Sequence, residues 1–533
     1  MSEVELKLQL PSGATARVER ELGDAPRRTR MQGLYFDTAD RRLAAAGLAL
    51  RLRKEGRRWV QTLKGGAAHD LERAEHNVVV AASPGAAPQL DVARHAGTPG
   101  GEALAAALGE DGASALVARY RTDIGRRVRV LRARRGCVEL ALDLGFIAAR
   151  PAGVVDAANA CANAADAVER RWPVCELEVE LQGGSPLAVT EVARRLAVRH
   201  DLWLDTRSKA ERGDRLARGL AADSAVPAVK AQALKLRKGM QASEAWQAVL
   251  RNTLAHALPN WSEVAGGHAA PEALHQLRVA LRRLRSGQRL FEPWTHLAAM
   301  MPSEPVAALF RALGTQRDQD ALAAGLQADI DAALAALGEA PLSLSALPEV
   351  PPWSDRERAT HGLVFFDLIG ASMAPCVSAP DLARDAVPDN APDNVPDNTT
   401  VADPALSAGI GERLQHWHAQ MRRDAKRFAA LDDPARHRLR KRLKRLRYAI
   451  EFSAGLFPKR AVARYLERLS VAQERLGEFA DLGVAQRAYR ALVADEPRAW
   501  FAIGWLAEHR TTVLRDCADA LGRLRQVKPF WAD

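Results

Sequence analysis

Cysteines and aromatic residues are scarce in this chain. The five cysteines, Cys137, Cys161, Cys175, Cys376 and Cys517, are odd in number, scattered and without a CxxC pair. That usage suggests a reducing compartment and argues against a disulfide framework or a thiolate zinc site. Aromatics make up 5 % of the 533 residues, a poor supply for the stacking platform of a single-strand nucleic-acid binder. No apolar run approaches the ~18 residues of a membrane span. No basic leader with an apolar stretch precedes Glu3, so a cytoplasmic protein with no membrane partner is expected. There is no GxxxxGK[ST] or other glycine-rich phosphate loop. No Ser-His-Asp or Cys-His arrangement is visible, so a covalent intermediate is not expected.

What is present is an ordinary globular composition, 47 % hydrophobic and 26 % charged, in a chain long enough for two or three domains. The net charge of +11 makes polyanions the natural partners. Residues 1–218 alternate like strands in "EVELKLQL", "LALRLRKEG", "RRWVQTLKG", "LERAEHNVVV", "GCVELALDLGFIA" and "VCELEVELQ". Two helical inserts, "GEALAAALGEDGASALVARY" and "PLAVTEVARRLAVRHD", interrupt them, and the Ala-rich "RPAGVVDAANACANAADAVERR" reads as a long loop. Residues 219–232 look like a linker, and 233–526 switch to helical periodicity. Within that half, the threefold Pro-Asp-Asn repeat of "VPDNAPDNVPDNTT" is incompatible with a helix and places a mobile surface loop at about 381–405.

The strands sort their charges. Because successive side chains point to opposite faces, Glu3, Glu5 and Lys7 share a face, as do Arg51 and Arg53. Lys64 projects with Thr62, Glu139 with Asp143, and Glu176 with Glu178 and Glu180. Some strands carry only acids on that face and others only bases. A sheet closed with these faces inward has a lumen with an acidic wall and a basic wall. That lumen suits metal-assisted phosphoryl transfer: hard carboxylate oxygens bind Mg²⁺ or Mn²⁺, while arginine forks and lysine hold phosphate oxygens.

"EVELKL" resembles the ExExK signature of the CYTH family, the triphosphate tunnel metalloenzymes. "YFDT", "LRLRKEG", "QTLKG", "TDIGR", "ELALDLG", "CELEVEL" and "SKAERG" follow in the family's order, across 1–218. The resemblance implies an α+β domain built on an eight-stranded antiparallel barrel. It also implies hydrolysis or rearrangement of a triphosphate with one or two Mg²⁺ or Mn²⁺ ions. Carried over to this chain, Glu3, Glu5, Asp143, Glu176 and Glu178 would bind metal. Lys7, Arg51, Arg53, Lys64, Arg126, Lys209 and Arg212 would hold the triphosphate, with Glu3, Glu5 and Lys7 at the catalytic centre.

In the helical half, "HQLRVALRRLR" (275–285) and "HRLRKRLKRLR" (437–447) share H-x-L-R-x-x-L-[RK]-R-L-R without a gap, and LGxxxD recurs downstream of each. Two related helical bundles are therefore expected. On a helix the spacing stacks His275, Arg278, Arg282 and Arg285 in one row, and His437, Arg440, Lys444 and Arg447 in another. Like charges at i,i+4 cost ~0.2–0.5 kcal/mol per pair, so a row of them present twice suggests a polyanion that relieves the repulsion. This half resembles the CHAD domain, a helical module often found behind CYTH domains. That implies inorganic polyphosphate binding through these rows and, in some members, association with polyphosphate granules.

The leading expectation is an inorganic triphosphatase joined to a polyphosphate-binding domain at 233–526. One alternative is hydrolysis or cyclisation of a nucleoside or thiamine triphosphate. Another is a non-catalytic polyphosphate-binding or granule-associated protein, against which stand four inward glutamates that anion binding alone would not need. Nucleic acid is not the expected partner of the basic helices.

Overall fold

Period-two patterning in the first two hundred residues folds into strands that pair in a ring. The structure, a computed structural model, describes residues 2–23, 26–65, 72–81, 87–150, 169–221, 223–267, 269–295, 298, 301–314, 326–342, 351–374 and 406–531, except the side chains of Ser2, Glu3, Glu72, Arg73 and Asp111. The Pro-Asp-Asn repeat and most of the Ala-rich stretch lie outside these residues. In chain order the elements begin β1 (Ser2–Gln9), α1 (Thr15–Glu21), β2 (Arg27–Thr38), α2 (Arg42–Ala45), β3 (Ala49–Glu55), β4 (Arg58–Gly65), β5 (Glu72–Val80) and α3 (Pro99–Leu108). There follow β6 (Leu116–Ala133), β7 (Gly136–Ala149), β8 (Arg170–Gly184), α4 (Leu187–His200), β9 (Trp203–Leu204) and α5 (Lys209–Ala217).

The strands pair in the order β5-β4-β3-β2-β6-β7-β8-β1-β9, and β1 pairs β5 as well. Residues 5–9 of β1 lie against β8 and residues 2–4 against β5. Eight strands thus form a continuous antiparallel circuit, in which the edges that invite aggregation are mutually satisfied. One expectation is corrected here. "ALVARY" does not continue the helical insert: a 3₁₀ segment with positive φ at Gly109 and Gly112 stops α3, and Leu116 opens β6. The alternation of "LVARYRTDIGRRVRVL" outweighs the helical propensity of its alanine and leucine.

The outward faces of β1, β7 and β8 are apolar. Leu8, Leu140, Leu142, Leu177 and Val179 are fully buried, beneath α4, which packs on all three strands. At one end of the lumen α5 forms an apolar plug. Leu216 and Ala217 pack with Met31, Ile124, Ile147, Trp172 and Val174, the last four at even spacing from Arg126, Asp143 and Glu176 on the same strands.

Close approach of this plug requires Gly213, because a Cβ there would lie 2.1 Å from Tyr120 Cδ2. Tyr120 stacks on Tyr35 at 4.8 Å and has no room to retreat. Gly213→Ala is therefore expected to destabilise the barrel by about 1–3 kcal/mol, read as a lower midpoint of thermal unfolding.

The remaining helices are α6 (Ala242–Ala265), α7 (Pro271–Phe291), α8 (Ser303–Ala312), α9 (Gln327–Ala335), α10 (Asp355–Met373), α11 (Leu406–Lys426), α12 (Asp433–Ser453), α13 (Lys459–Leu492) and α14 (Ala499–Arg525). Among the described residues no helix is long and apolar enough to cross a membrane. The backbone divides into two compact units: Met1–Val229 with Ala257–Ala273 and Trp353–Met373, and Lys230–His256 with Leu274–Pro352 and Ala374–Asp533. In the first unit, Trp261 donates its indole N–H to the Leu204 carbonyl (3.0 Å), and Arg194 of α4 pairs with Asp367 of α10 (3.0 Å). In the second, α11 to α14 pack in succession, with α11 returning against α14. The leucine stripes of the repeated motif (Leu277, Leu281 and Leu284; Leu439, Leu443 and Leu446) are buried.

Candidate phosphate and metal sites

Strand register places the inward charges in rows. Gln9, Glu176, Asp143 and Arg126 lie directly across from one another on β1, β8, β7 and β6. One step along, Lys7 faces Glu178, and a step further Glu5, Glu180 and Glu139 stand abreast. Directly opposed like charges are destabilising. Burial, reinforced by Glu5, Glu139 and Glu178, accordingly pushes Glu180 up to about 7.

Asp143, Glu176 and Glu178 each offer a carboxylate oxygen within 4.8 Å of the others. The first two are fully buried. The ammonium of Lys209 sits among the three, 2.7 Å from Asp143 Oδ2, 2.7 Å from Glu178 Oε1 and in contact with Glu176. Arg126 grips Asp143 with two hydrogen bonds of 2.7 Å and also reaches Glu178, while Arg212 donates to Glu176. Burial pushes Glu176 up, but Arg212, Lys209 and Lys7 outweigh it and hold the carboxyl at about 2. Glu178 is likewise held well below the usual range, its burial overcome by Lys209 and Arg126. Three hard oxygen donors around a position already taken by a cation form a set that fits Mg²⁺ or Mn²⁺.

Of the expected metal ligands, Asp143, Glu176 and Glu178 come together, and Glu5 stands one row beyond Glu178, beside Glu180. The backbone of Glu3 pairs with Arg73 at the β1–β5 seam, and its side chain lies outside the described residues. Lys7 is buried and donates to the Arg207 carbonyl. Burial lowers its pKa against the upward pull of Glu176, and Arg212 and Lys209 lower it further.

The basic wall is on β3 and β4. Arg51 donates to Tyr35 Oη (3.2 Å), Lys64 pairs with Glu75 (2.8 Å), and Arg53 pairs with Glu55. Glu75, which also lies 3.7 Å from Arg51, went unread in the sequence. Its signal was its placement opposite Lys64 in the β4–β5 register, which appears only once the strands are paired. A cavity of about 920 Å³ runs between the walls, lined by Glu5, Lys7, Arg51, Arg53, Lys64 and Lys209 among others. Arg212 stands behind it, 1 % exposed.

In the helical unit the two rows converge. Burial pushes Lys444 down to about 6, reinforced by Arg282, Arg440 and Arg278 and opposed by Asp481. Arg278 stacks 4.5 Å from the Phe310 ring, with Arg282 at 5.9 Å, and Arg440 lies 4.0 Å from Asp481. The LGxxxD glycines face the row in both halves: Gly314 sits beside Arg278 and Gly477 beside Arg440. Asp318, the counterpart of Asp481, lies outside the described residues. Burial lowers His437, with Lys441, Arg440 and Lys444 adding to it, and His275 is within electrostatic reach of His256. Arg447 bonds Glu451 (2.7 Å) and Gln473 (3.3 Å), whereas Arg285 is crowded by Arg289 and Arg311. Arg278, Arg282 and Arg440 thus lie within electrostatic reach of Lys444, with His437 beside Arg440 and Lys444, while Arg285 and Arg447 have other neighbours.

Comparison with known proteins matches the CYTH domain to residues 1–213 and the CHAD domain to residues 248–490. The chain is a CYTH–CHAD protein. The CHAD domain of the plant Ricinus communis is 30 % identical over 57 % of this chain and 98 % of its own, with a TM-score of 0.42. A candidate adenylyl cyclase from Hippeastrum, described as having a dominant triphosphatase activity, is 17 % identical over 42 % of this chain and 97 % of its own, TM-score 0.27. A candidate adenylate cyclase from Bacillus halodurans is 16 % identical over 37 % and 89 %, TM-score 0.24. The carboxylate trio and the basic wall both belong to the CYTH domain, and the converging rows belong to the CHAD domain.

Proposed function

We propose that the CYTH domain hydrolyses inorganic triphosphate with Mg²⁺ or Mn²⁺, and that the CHAD domain binds inorganic polyphosphate through its two basic rows. The observation that carries the first reading is the lumen itself: Asp143, Glu176 and Glu178 on one wall, Arg51, Arg53 and Lys64 on the other, and an apolar floor at α5. A linear chain of phosphates meets charge along its whole length there. Arg51, Arg53 and Lys64 would hold its oxygens. Arg126 and Lys209 contact both the carboxylates and the cavity, so they would turn to phosphate as a divalent ion takes over the acids. Asp143, Glu176 and Glu178, with Glu5 and Glu3 beyond them, would hold that ion. It would neutralise phosphate oxygens and acidify a bound water.

Aromatic packing favours an inorganic substrate over a nucleotide. Tyr35 and Tyr120 line the same cavity, yet they stack on each other, and the remaining face of Tyr120 is closed by Gly213. The Arg51 guanidinium lies 5.9 Å from the Tyr35 ring centroid, so this pair makes a poor stacking platform for a base.

The test is phosphate release from tripolyphosphate, long-chain polyphosphate, ATP and thiamine triphosphate, with Mg²⁺, Mn²⁺ or EDTA, for wild type and Glu5→Ala. Metal-dependent turnover of tripolyphosphate, diminished in the variant, is expected. Turnover confined to ATP or thiamine triphosphate would replace the substrate. No turnover of any of the four, with polyphosphate still bound, would leave a binding protein.

A further inference from the structure

The internal repeat aligns position by position along the two helices, so Arg283 corresponds to Arg445 and Glu451 to Arg289. Across α7 and α12, Arg283 donates to Glu451 (2.9 Å) with its guanidinium 4.9 Å from the Phe452 ring. This is a partly buried ion pair of an ordinary structural kind. The related half has the same arginine without the acid. Arg445 is pushed down to about 10, by burial first and then by Arg289, Arg442, Arg413 and Arg285. One charge reversal between the repeats has turned an ion pair into a pair of like charges.

Two of the arginines around Arg445, Arg413 and Arg442, are also held in place. Arg413 donates to the Arg289 carbonyl (2.9 and 2.5 Å). Arg413 and Arg445 each lie 5.4 Å from the Trp417 ring, a cation–π arrangement that fixes guanidinium planes. Arg442 is paired with Asp424. Among the described residues, none of Arg285, Arg289, Arg413 and Arg445 forms an ion pair with a carboxylate. Glu304 and Glu292 act on Arg285 and Arg413 only from further off. Clustered, unneutralised guanidinium groups of one sign weaken the fold unless an anion joins them.

We infer that Arg285, Arg289, Arg413 and Arg445 form a second anion site in the CHAD domain, and that a polyphosphate chain lying on Arg278 and Arg282 continues across it. This rests on the reading of the rows as the polyphosphate site and gives them a direction. Positions 278, 282, 285 and 289 follow one face of α7, so the row runs straight into the new cluster. The opposite choice, past Arg447, meets a guanidinium already bonded to Glu451. Arginine forks match phosphate oxygens two at a time. Trp417 is 6 % exposed and offers no open ring for a base, which selects a phosphate chain over a nucleic acid.

The full-length chain tests this with Arg289→Glu, which recreates the ion pair of the other half. The variant should unfold at a higher temperature than wild type while binding long-chain polyphosphate at least about tenfold more weakly, the loss expected from one charge-assisted contact. Arg289→Gln should weaken binding by less. If Arg289→Glu binds as wild type while Arg282→Ala with Arg440→Ala abolishes binding, the chain does not cross this cluster and the inference falls, the row reading surviving. If none of the variants changes binding, the row reading falls and takes the inference with it. A lower unfolding midpoint for Arg289→Glu, or competition by single-stranded RNA equal to that by polyphosphate, would also overturn it.

Discussion

Glu178→Gln is expected to stay folded and to release phosphate from tripolyphosphate about a thousandfold more slowly at saturating Mg²⁺, the loss of several kcal/mol of charge stabilisation at the reacting oxygens. The fold should survive because the cations around Glu178 keep other partners. Lys209 retains Asp143 and Glu176, and Arg126 retains its two bonds to Asp143. Glu176→Gln should behave differently. Glu176 is the acid that Arg212 contacts, and Arg212 is 1 % exposed with its Nε already lacking a hydrogen-bond partner. Removing one member of such a buried pair costs about 3–5 kcal/mol. The pH dependence follows the same logic: Glu176 is held at about 2 against an ordinary 4.5. Its contribution is present above pH 4.5 and is lost as pH falls toward 2, and Glu176→Gln should flatten that part of the acid-unfolding curve. Thermal melts beside phosphate release and Mn²⁺ calorimetry separate the two roles. Full Mg²⁺-dependent turnover by Glu178→Gln would remove Glu178 from the metal site.

The second large effect concerns Lys444. Polyphosphate affinity should fall as pH rises from 6 to 8, by up to about tenfold per unit. Lys444 sits at about 6 in the free protein, and a polyanion among Arg278, Arg282 and Arg440 would restore its proton, so binding above that pH takes up a proton. Asp481 already pulls the same way, and His437, lowered by burial and by Lys441, Arg440 and Lys444, adds to the slope. Lys444→Arg stays charged and should bind with a flatter pH profile, while Lys444→Met should bind weakly at every pH. Without ligand, the unfolded chain carries the extra proton between pH 6 and 10.5, so stability rises with pH through that window. Lys444→Met should therefore gain most near pH 6. Calorimetry in buffers of different ionisation enthalpy reads the proton directly, and identical slopes for wild type and Lys444→Arg would refute this account.

Much of the site was legible because a strand's period of two is written in the residue order. Glu176, Glu178, Arg51 and Arg53 could be assigned a common inward face before any pairing was known. Asp143 was legible as a member of that face, but its place beside Glu176 depends on a β7–β8 register that an Ala-rich insert hides in the sequence. Glu75 and the tyrosine stack were not legible, since neither exists until β4 meets β5 or β2 meets β6. In the helical half, the repeat announced both rows. What it could not announce was that four of those cations converge, or that the one charge reversal between repeats falls where an arginine needs a partner. Those are properties of helix packing, which spacing along a single helix does not encode.

The pairing of β1 also governs when the tunnel can come into being. Its residues are made first, yet they need β5 on one side and β8 on the other, and Gln9 meets Glu176 across that second seam. At ~5–20 residues per second of synthesis, the opening strand, which β9 pairs later still, waits roughly eight to thirty-five seconds for β8. Until then Glu5 and Lys7 have no opposing wall. The nascent protein therefore has no half-built lumen, and the seam that completes the ring is also the event that brings the proposed metal and phosphate ligands of the strands together.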